Sequence, residues 1–126
     1  MTVVLDAGAL LALERNDRRM WRRLKAGAAS GDRLVTHGGV VAQVWRGGHG
    51  RQAPLARALN GVEVIALDDR LGRAAGLLIG MARSSDAIDA AVVVLAVDGD
   101  RIVTSDPVDI AWLVEASGRQ IDIVPI

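Results

Sequence analysis

The fold of this chain is constrained most by a series of short, largely apolar runs: TVVL at residues 2–5, RLVT at 33–36, VEVIAL at 62–67, RIVT at 101–104 and the closing IDIVPI. A strand with one face in water alternates polar and apolar side chains, whereas a strand that is apolar at consecutive positions has both faces covered. Between the runs lie segments of helical character, from Asp17 to Ala29, from Asp68 to Met81 and from Asp86 to Val97. Buried strands alternating with helices predict an α/β fold with a mostly parallel sheet of four or five strands, covered on both faces.

The 126 residues, 51% of them hydrophobic, suffice for one core, so the expectation is a single domain over residues 1–126. Only three aromatic residues are present, Trp21, Trp45 and Trp112, so Val, Leu, Ile and Ala must fill the interior. All three tryptophans fall in segments read as helical and are assigned to the core, with an interface role open for some. Aromatic platforms for stacking bases are not expected. Lys+Arg and Asp+Glu both total 15, so any attraction to nucleic acid must come from local charge. The absence of cysteine removes disulfides, thiolate metal sites and a cysteine nucleophile. Met1 leads directly into Val3, Val4 and Leu5 without a basic leader, and no run reaches about 18 apolar residues, so a cytoplasmic chain with no membrane span is expected. Gly47 to Pro54 (GGHGRQAP) and Ala82 to Ser85 read as mobile loops.

Chemistry in an open parallel sheet gathers at the carboxyl ends of the strands. Asp6 ends the first strand in VVLDAGALLAL, and Asp106 follows the fourth in RIVTSDPVDI. Asp89 opens an apolar helix in SSDAIDAAVVVLAV; a helix that turns back through Asp98, Gly99 and Asp100 into the 101–104 strand runs antiparallel to it. The start of that helix and the end of that strand then share one sheet edge, which brings Asp89 and Asp106 together. Converging carboxylates repel unless a cation neutralises them, and hard divalent cations, Mg²⁺ with Mn²⁺ as substitute, take oxygen ligands of this kind. Each acid taken alone, Asp6, Asp86, Asp89 or Asp106, is also a plausible helix cap; their joint placement is what argues for a site.

These segments carry a family resemblance. The VVLDAGALLAL opening, the VVAQVWRGGHGRQAPLARAL stretch around Gln43, the DAAVVVLAV helix and IVTSDPVDI resemble, in order and spacing, a PIN-domain ribonuclease, and more narrowly the toxin component of VapBC toxin–antitoxin pairs. The resemblance implies a three-layer α/β/α fold and hydrolysis of RNA by metal-activated water. It implies metal ligation by Asp6, Asp89 and Asp106, and partnership with an antitoxin and with a second copy of the chain. Where the family carries a glutamate in the helix after the second strand, this sequence has Gln43. An amide can orient water but cannot act as a general base near neutral pH. Asp86, three residues before Asp89, either supplies the missing carboxylate or caps the helix; both readings fit the sequence.

Thr104 and Ser105 flank the acids, where a hydroxyl can hold water or a phosphate oxygen, although Thr104 equally suits a strand. Asp109 reads as a first-turn helix charge. Arg46 and Arg51, close to Gln43, are the candidate contacts to RNA phosphates. The cluster Arg15, Arg18, Arg19, Arg22, Arg23 and Lys25 reads as a solvated or partner-binding face as readily as an RNA surface. His37 and His49 read as incidental surface histidines. A phospho-accepting receiver domain would need an acidic neighbour for Asp6 and a lysine near the last strand, and a dinucleotide-binding domain would need GxGxxG after the first; neither is present. A PIN-fold protein that binds RNA or a partner without cleavage is the alternative function, and Gln43 is the residue that supports it.

Overall fold

The apolar runs pair into one parallel sheet in the computed structural model, which describes all 126 residues. Its strands are β1 (Thr2–Leu5), β2 (Arg33–His37), β3 (Glu63–Ile65), β4 (Arg101–Thr104) and β5 (Asp122–Pro125), in the order β3-β2-β1-β4-β5. Every pairing is parallel. Seven helices connect them: α1 (Ala7–Glu14), α2 (Arg18–Ala29), α3 (Gly38–Val44), α4 (Ala53–Leu59), α5 (Asp69–Ala82), α6 (Ala87–Val94) and α7 (Pro107–Ser117). Right-handed crossovers place α1 to α4 on one face and α5 to α7 on the other. The packing agrees: α1 touches α2, α3 and α4, while α5, α6 and α7 rest on one another. The result is three layers, α/β/α.

The strands that read as continuously apolar are the central ones, and they are buried accordingly. Val4, Leu5, Ile102 and Val103 are at most 1% exposed, and α6 contributes Ala90, Ala91, Val92 and Val93, all at 0%. β3 is shorter than the VEVIAL run and stands at the sheet edge, where only β2 pairs with it. Glu63 and Val64 are exposed there, so the expectation of cover on both faces fails at this edge.

Helix ends follow from their caps. Asp17, Asp68 and Asp86 each accept the backbone N–H three residues on, which starts α2, α5 and α6. The third of these helices stops at Val94 rather than Val97. Buried Asp100 explains the difference: its carboxylate accepts from Val97 N–H at 2.9 Å and from Thr2 N–H at 3.0 Å, tying the turn before β4 to the start of β1.

Two other expectations are corrected. The Gly47–Pro54 stretch is pinned by Gln52, which is 6% exposed. Its amide oxygen accepts from Arg46 N–H (2.8 Å) and Gly48 N–H (3.1 Å), and its nitrogen donates to Val44 O (2.8 Å) and Glu14 (2.7 Å). The tryptophans are not core residues as a set either. Trp112 is 61% and Trp45 39% exposed, and Trp45 lies in extended backbone past the end of α3. Trp21 is half-buried, its indole N–H donating to Leu13 O at 3.0 Å.

Candidate active site at the carboxyl ends of the central strands

β1 and β4 are neighbours, but the chain leaves them in opposite directions, from β1 toward β2 and from β4 toward β5. The crevice between their carboxyl ends is the switch point at which such sheets bind ligands. Asp6 sits directly in it. Its Oδ1 accepts from Ala9 N–H at 2.9 Å, capping α1, and its Oδ2 accepts from the Thr104 hydroxyl and from Ser105 N–H at 3.3 Å. The side chain is nearly enclosed, and burial pushes its pKa above the ordinary value against the opposing pull of these hydrogen bonds.

Thr104 ends β4 fully buried, and its hydroxyl also accepts from Asp106 N–H at 2.8 Å. One hydroxyl therefore joins the two acid-bearing strand ends. Thr104 is enclosed, and its hydroxyl is engaged on both sides. Ser105 is exposed and lies against α1 at Gly8, where an added Cβ would fall 1.9 Å from Ser105 Oγ. Gly8 is thus the small residue that lets the β4–α7 turn close on Asp6.

The remaining acids come in two pairs, each three residues apart at a helix start. Asp86 caps α6 by accepting from Asp89 N–H at 2.9 Å. Asp89 is half-buried, and its pKa is pushed up to about 7, first by burial, then by the charges of Asp86, Asp6 and Asp106 and by a hydrogen bond with Asp86. Asp106 stands at the N-cap of α7 without a side-chain capping bond and Asp109 in its first turn, and a side-chain hydrogen bond with Asp106 and its charge raise the Asp109 pKa. Asp86, Asp89 and Asp109 line an open hollow of about 480 Å³ together with Arg83, Ser84, Ser85 and Trp112; Asp6 and Asp106 lie outside this lining.

The acids thus share one electrostatic field, but no three of them are drawn close enough to encircle a single ion. The three-carboxylate cage expected from the sequence is not preformed. Asp6 and Asp86 each turn an oxygen to a helix N–H group, so both act as helix caps.

No family model matches the sequence, and no curated protein sequence does. Among solved structures the chain is similar to the crystal structure of VapBC2 from Rickettsia felis bound to a DNA fragment from their promoter. The TM-score is 0.71 over 98% of this chain and 98% of that one, at 12% sequence identity. The fold is a PIN-like, three-layer α/β/α arrangement. At this identity the likeness concerns architecture, and the residues of the site must be argued from their own geometry.

Within this fold the other sequence-predicted residues are more dispersed. Gln43 is exposed near the end of α3, makes no side-chain hydrogen bond and is not among the residues lining the acidic hollow. Arg46 turns back on α3, donating to Ala42 O (3.2 Å) and Trp45 O (2.6 Å), while Arg51 and His49 are exposed.

His37 is not a surface histidine. It is fully buried; its Nδ1 accepts from Gly39 N–H at 3.1 Å, which leaves Nε2 to donate to Ile88 O at 3.0 Å. Burial lowers its pKa, so the ring stays neutral and ties the end of β2 to α6 one residue before Asp89. Gly39 permits this approach, since a Cβ there would meet Ile88 Cδ1 at 2.6 Å. The position of His37 after β2 suggests an approach to the pocket, but its burial against Ile88 and the place of Arg83 in the lining do not follow from the sequence pattern. The repeated spacing in DAID and DPVD was the available signal for Asp109.

Proposed function

We propose that this PIN-fold chain is a divalent-metal-dependent endoribonuclease that acts in the cytoplasm, as a single domain over residues 1–126, as the toxin of a toxin–antitoxin pair. The observation that carries this reading is the crowding of Asp6, Asp86, Asp89 and Asp106 around the switch point between β1 and β4. Carboxylates in each other's field repel, and a hard divalent cation relieves that repulsion.

The donor set fits Mg²⁺, with Mn²⁺ as substitute: oxygen ligands only, with no thiolate and no free imidazole among them. Asp6, Asp89 and Asp106 would hold the ion, with Asp86 available as a further carboxylate. When bound, it supplies positive charge to a phosphoryl oxygen and makes water a stronger nucleophile. Thr104 holds Asp6 and the backbone of Asp106 in register, and His37 holds the start of α6 beneath Asp89. Ser105 and Arg51, both exposed, are the groups open to RNA, while Arg46 has its remaining guanidinium nitrogens available.

Likeness to a toxin–antitoxin complex supports an antitoxin as partner for this chain. The exposed Trp112, Leu77 and Met81 on α5 and α7 are suited to contact with a second copy. The test is incubation of purified, partner-free protein with labelled total RNA in Mg²⁺, in Mn²⁺, in EDTA and as an Asp6→Asn variant. Cleavage that needs metal and Asp6 is expected. Intact RNA in every lane at high protein concentration overturns the nuclease reading.

A second reading, a PIN-fold protein that binds RNA or a partner without cleavage, is favoured by the uncharged, outlying Gln43 and the absence of a preformed ion cage. Retarded but uncut RNA in the same incubations would select it.

A further inference from the structure

Left-handed backbone is confined in this chain to six glycines, one asparagine and one arginine. Glycine adopts a positive φ freely and asparagine readily, whereas the Cβ of a long side chain crowds its own backbone there. The arginine is Arg83, which ends α5 at φ 54° and ψ 44°. α7 makes the same kind of left-handed end with Gly118. Glycine would serve this cap better, so the side chain at residue 83 calls for an explanation of its own.

The conformation is firmly held. Ile79 O accepts from the Arg83 and Ser84 N–H groups, the latter at 3.2 Å, and Ala82 O accepts from the indole of Trp112 on α7 at 2.7 Å. Arg83 therefore leaves the chain from a fixed point beside the acidic hollow. It is the one cation among the residues lining that hollow, against Asp86, Asp89 and Asp109. It is exposed, and it enters no ion pair. A guanidinium kept only to offset the acids would pair with one of them, and Arg83 does not.

We propose that Arg83 binds a backbone phosphate of RNA at the acidic hollow, and that the strained backbone at residue 83 is retained for the sake of this side chain. This role rests on the proposed reading of the acids as an RNA site, but not on cleavage there. An anionic strand is repelled by Asp86, Asp89 and Asp109, and a guanidinium among them offsets that repulsion where a phosphate approaches. Its planar donors match two phosphate oxygens at once. A donor already in place also stabilises the charge that gathers on those oxygens during hydrolysis.

The test separates side chain from backbone. Arg83→Gly relieves the left-handed conformation while removing the guanidinium, Arg83→Gln removes the charge, and Arg83→Lys keeps the charge without the fork. Each is measured for melting temperature, for cleavage of labelled total RNA in Mg²⁺ and, in an Asp6→Asn background, for binding of fluorescent mixed-sequence single-stranded RNA. Arg83→Gly should melt at or above the wild-type temperature yet lose about tenfold or more in kcat/KM, as should Arg83→Gln, with Arg83→Lys between. RNA binding should weaken about threefold or more in the Gly and Gln variants, and its salt dependence should drop by about one phosphate contact. Cleavage and binding unchanged in both variants overturn the proposal. So does a loss accompanied in both by a lower melting temperature, which marks a purely structural role. If the wild type leaves RNA uncut but binds it through Arg83, the nuclease reading falls and the proposal stands; if RNA is neither cut nor bound, both fall.

Discussion

The Thr104 hydroxyl donates to the buried carboxylate of Asp6, which is ninety-eight residues away in sequence. Because the same oxygen accepts from Asp106 N–H, the carboxyl ends of β1 and β4 are coupled through one side chain. Thr104→Val keeps the shape and removes the coupling. It should destabilise the fold by about 1–3 kcal/mol in urea unfolding, because a buried carboxylate loses a donor. RNA cleavage should fall further than stability does, and Thr104→Ser should restore most of both.

Asp89 is held with a proton where an ordinary carboxyl has none. Between its usual value of 3.8 and about 7 the folded chain binds a proton that the unfolded chain releases, so stability should fall as pH rises through that window and level off above it. Asp89→Asn should remove that slope and raise the melting temperature of the metal-free chain by roughly 2–8 °C at neutral pH. It should also abolish metal-dependent cleavage. A variant that melts lower at neutral pH with no change in slope contradicts the electrostatic account.

His37 acts in the opposite sense. Its pKa is lowered from 6.5 by burial, so below that value the unfolded chain takes up a proton that the folded ring resists, and stability is lost as pH falls. His37→Ala leaves Gly39 N–H and Ile88 O unpaired around a cavity and should destabilise by roughly 3–5 kcal/mol. Two-dimensional NMR should show wild-type His37 as the Nε2–H tautomer at neutral pH.

Gly8→Ala should push the β4–α7 turn away from Asp6, since the new Cβ would overlap Ser105. A loss of about 1–3 kcal/mol is expected, with the larger effect on cleavage. The double variant with Ser105→Gly should recover much of the stability, as a double-mutant cycle of chemical unfolding would show.

The central strands were legible in the sequence because burial on both faces leaves an uninterrupted apolar signature, as in Val3 to Leu5 and Ile102 to Val103. β3 is shorter than its apolar run because an edge strand ends where pairing with β2 ends, which composition does not encode. α6 ends three residues before its apolar pattern does because the residue that stops it, Asp100, acts through a tertiary turn to Thr2. At the site, acids at strand ends and helix starts were visible, since both positions follow from local pattern. The roles of Thr104 and His37 were not, because each is fixed by partners distant in sequence, His37 by Ile88 fifty-one residues on. The exposure of Gln43, likewise, depends on how α3 is seated rather than on anything in its neighbourhood.

Gln52 has a consequence for how the molecule comes apart. By holding Arg46, Gly48, Val44 and Glu14 at once, it joins the glycine-rich turn to the ends of α1 and α3. That turn cannot open without loosening both helices, so it belongs to the cooperative unit of the domain despite its composition. Trypsin sensitivity at exposed Arg51 should therefore track global unfolding, and Gln52→Ala should convert it into a local cleavage that proceeds while the sheet remains intact.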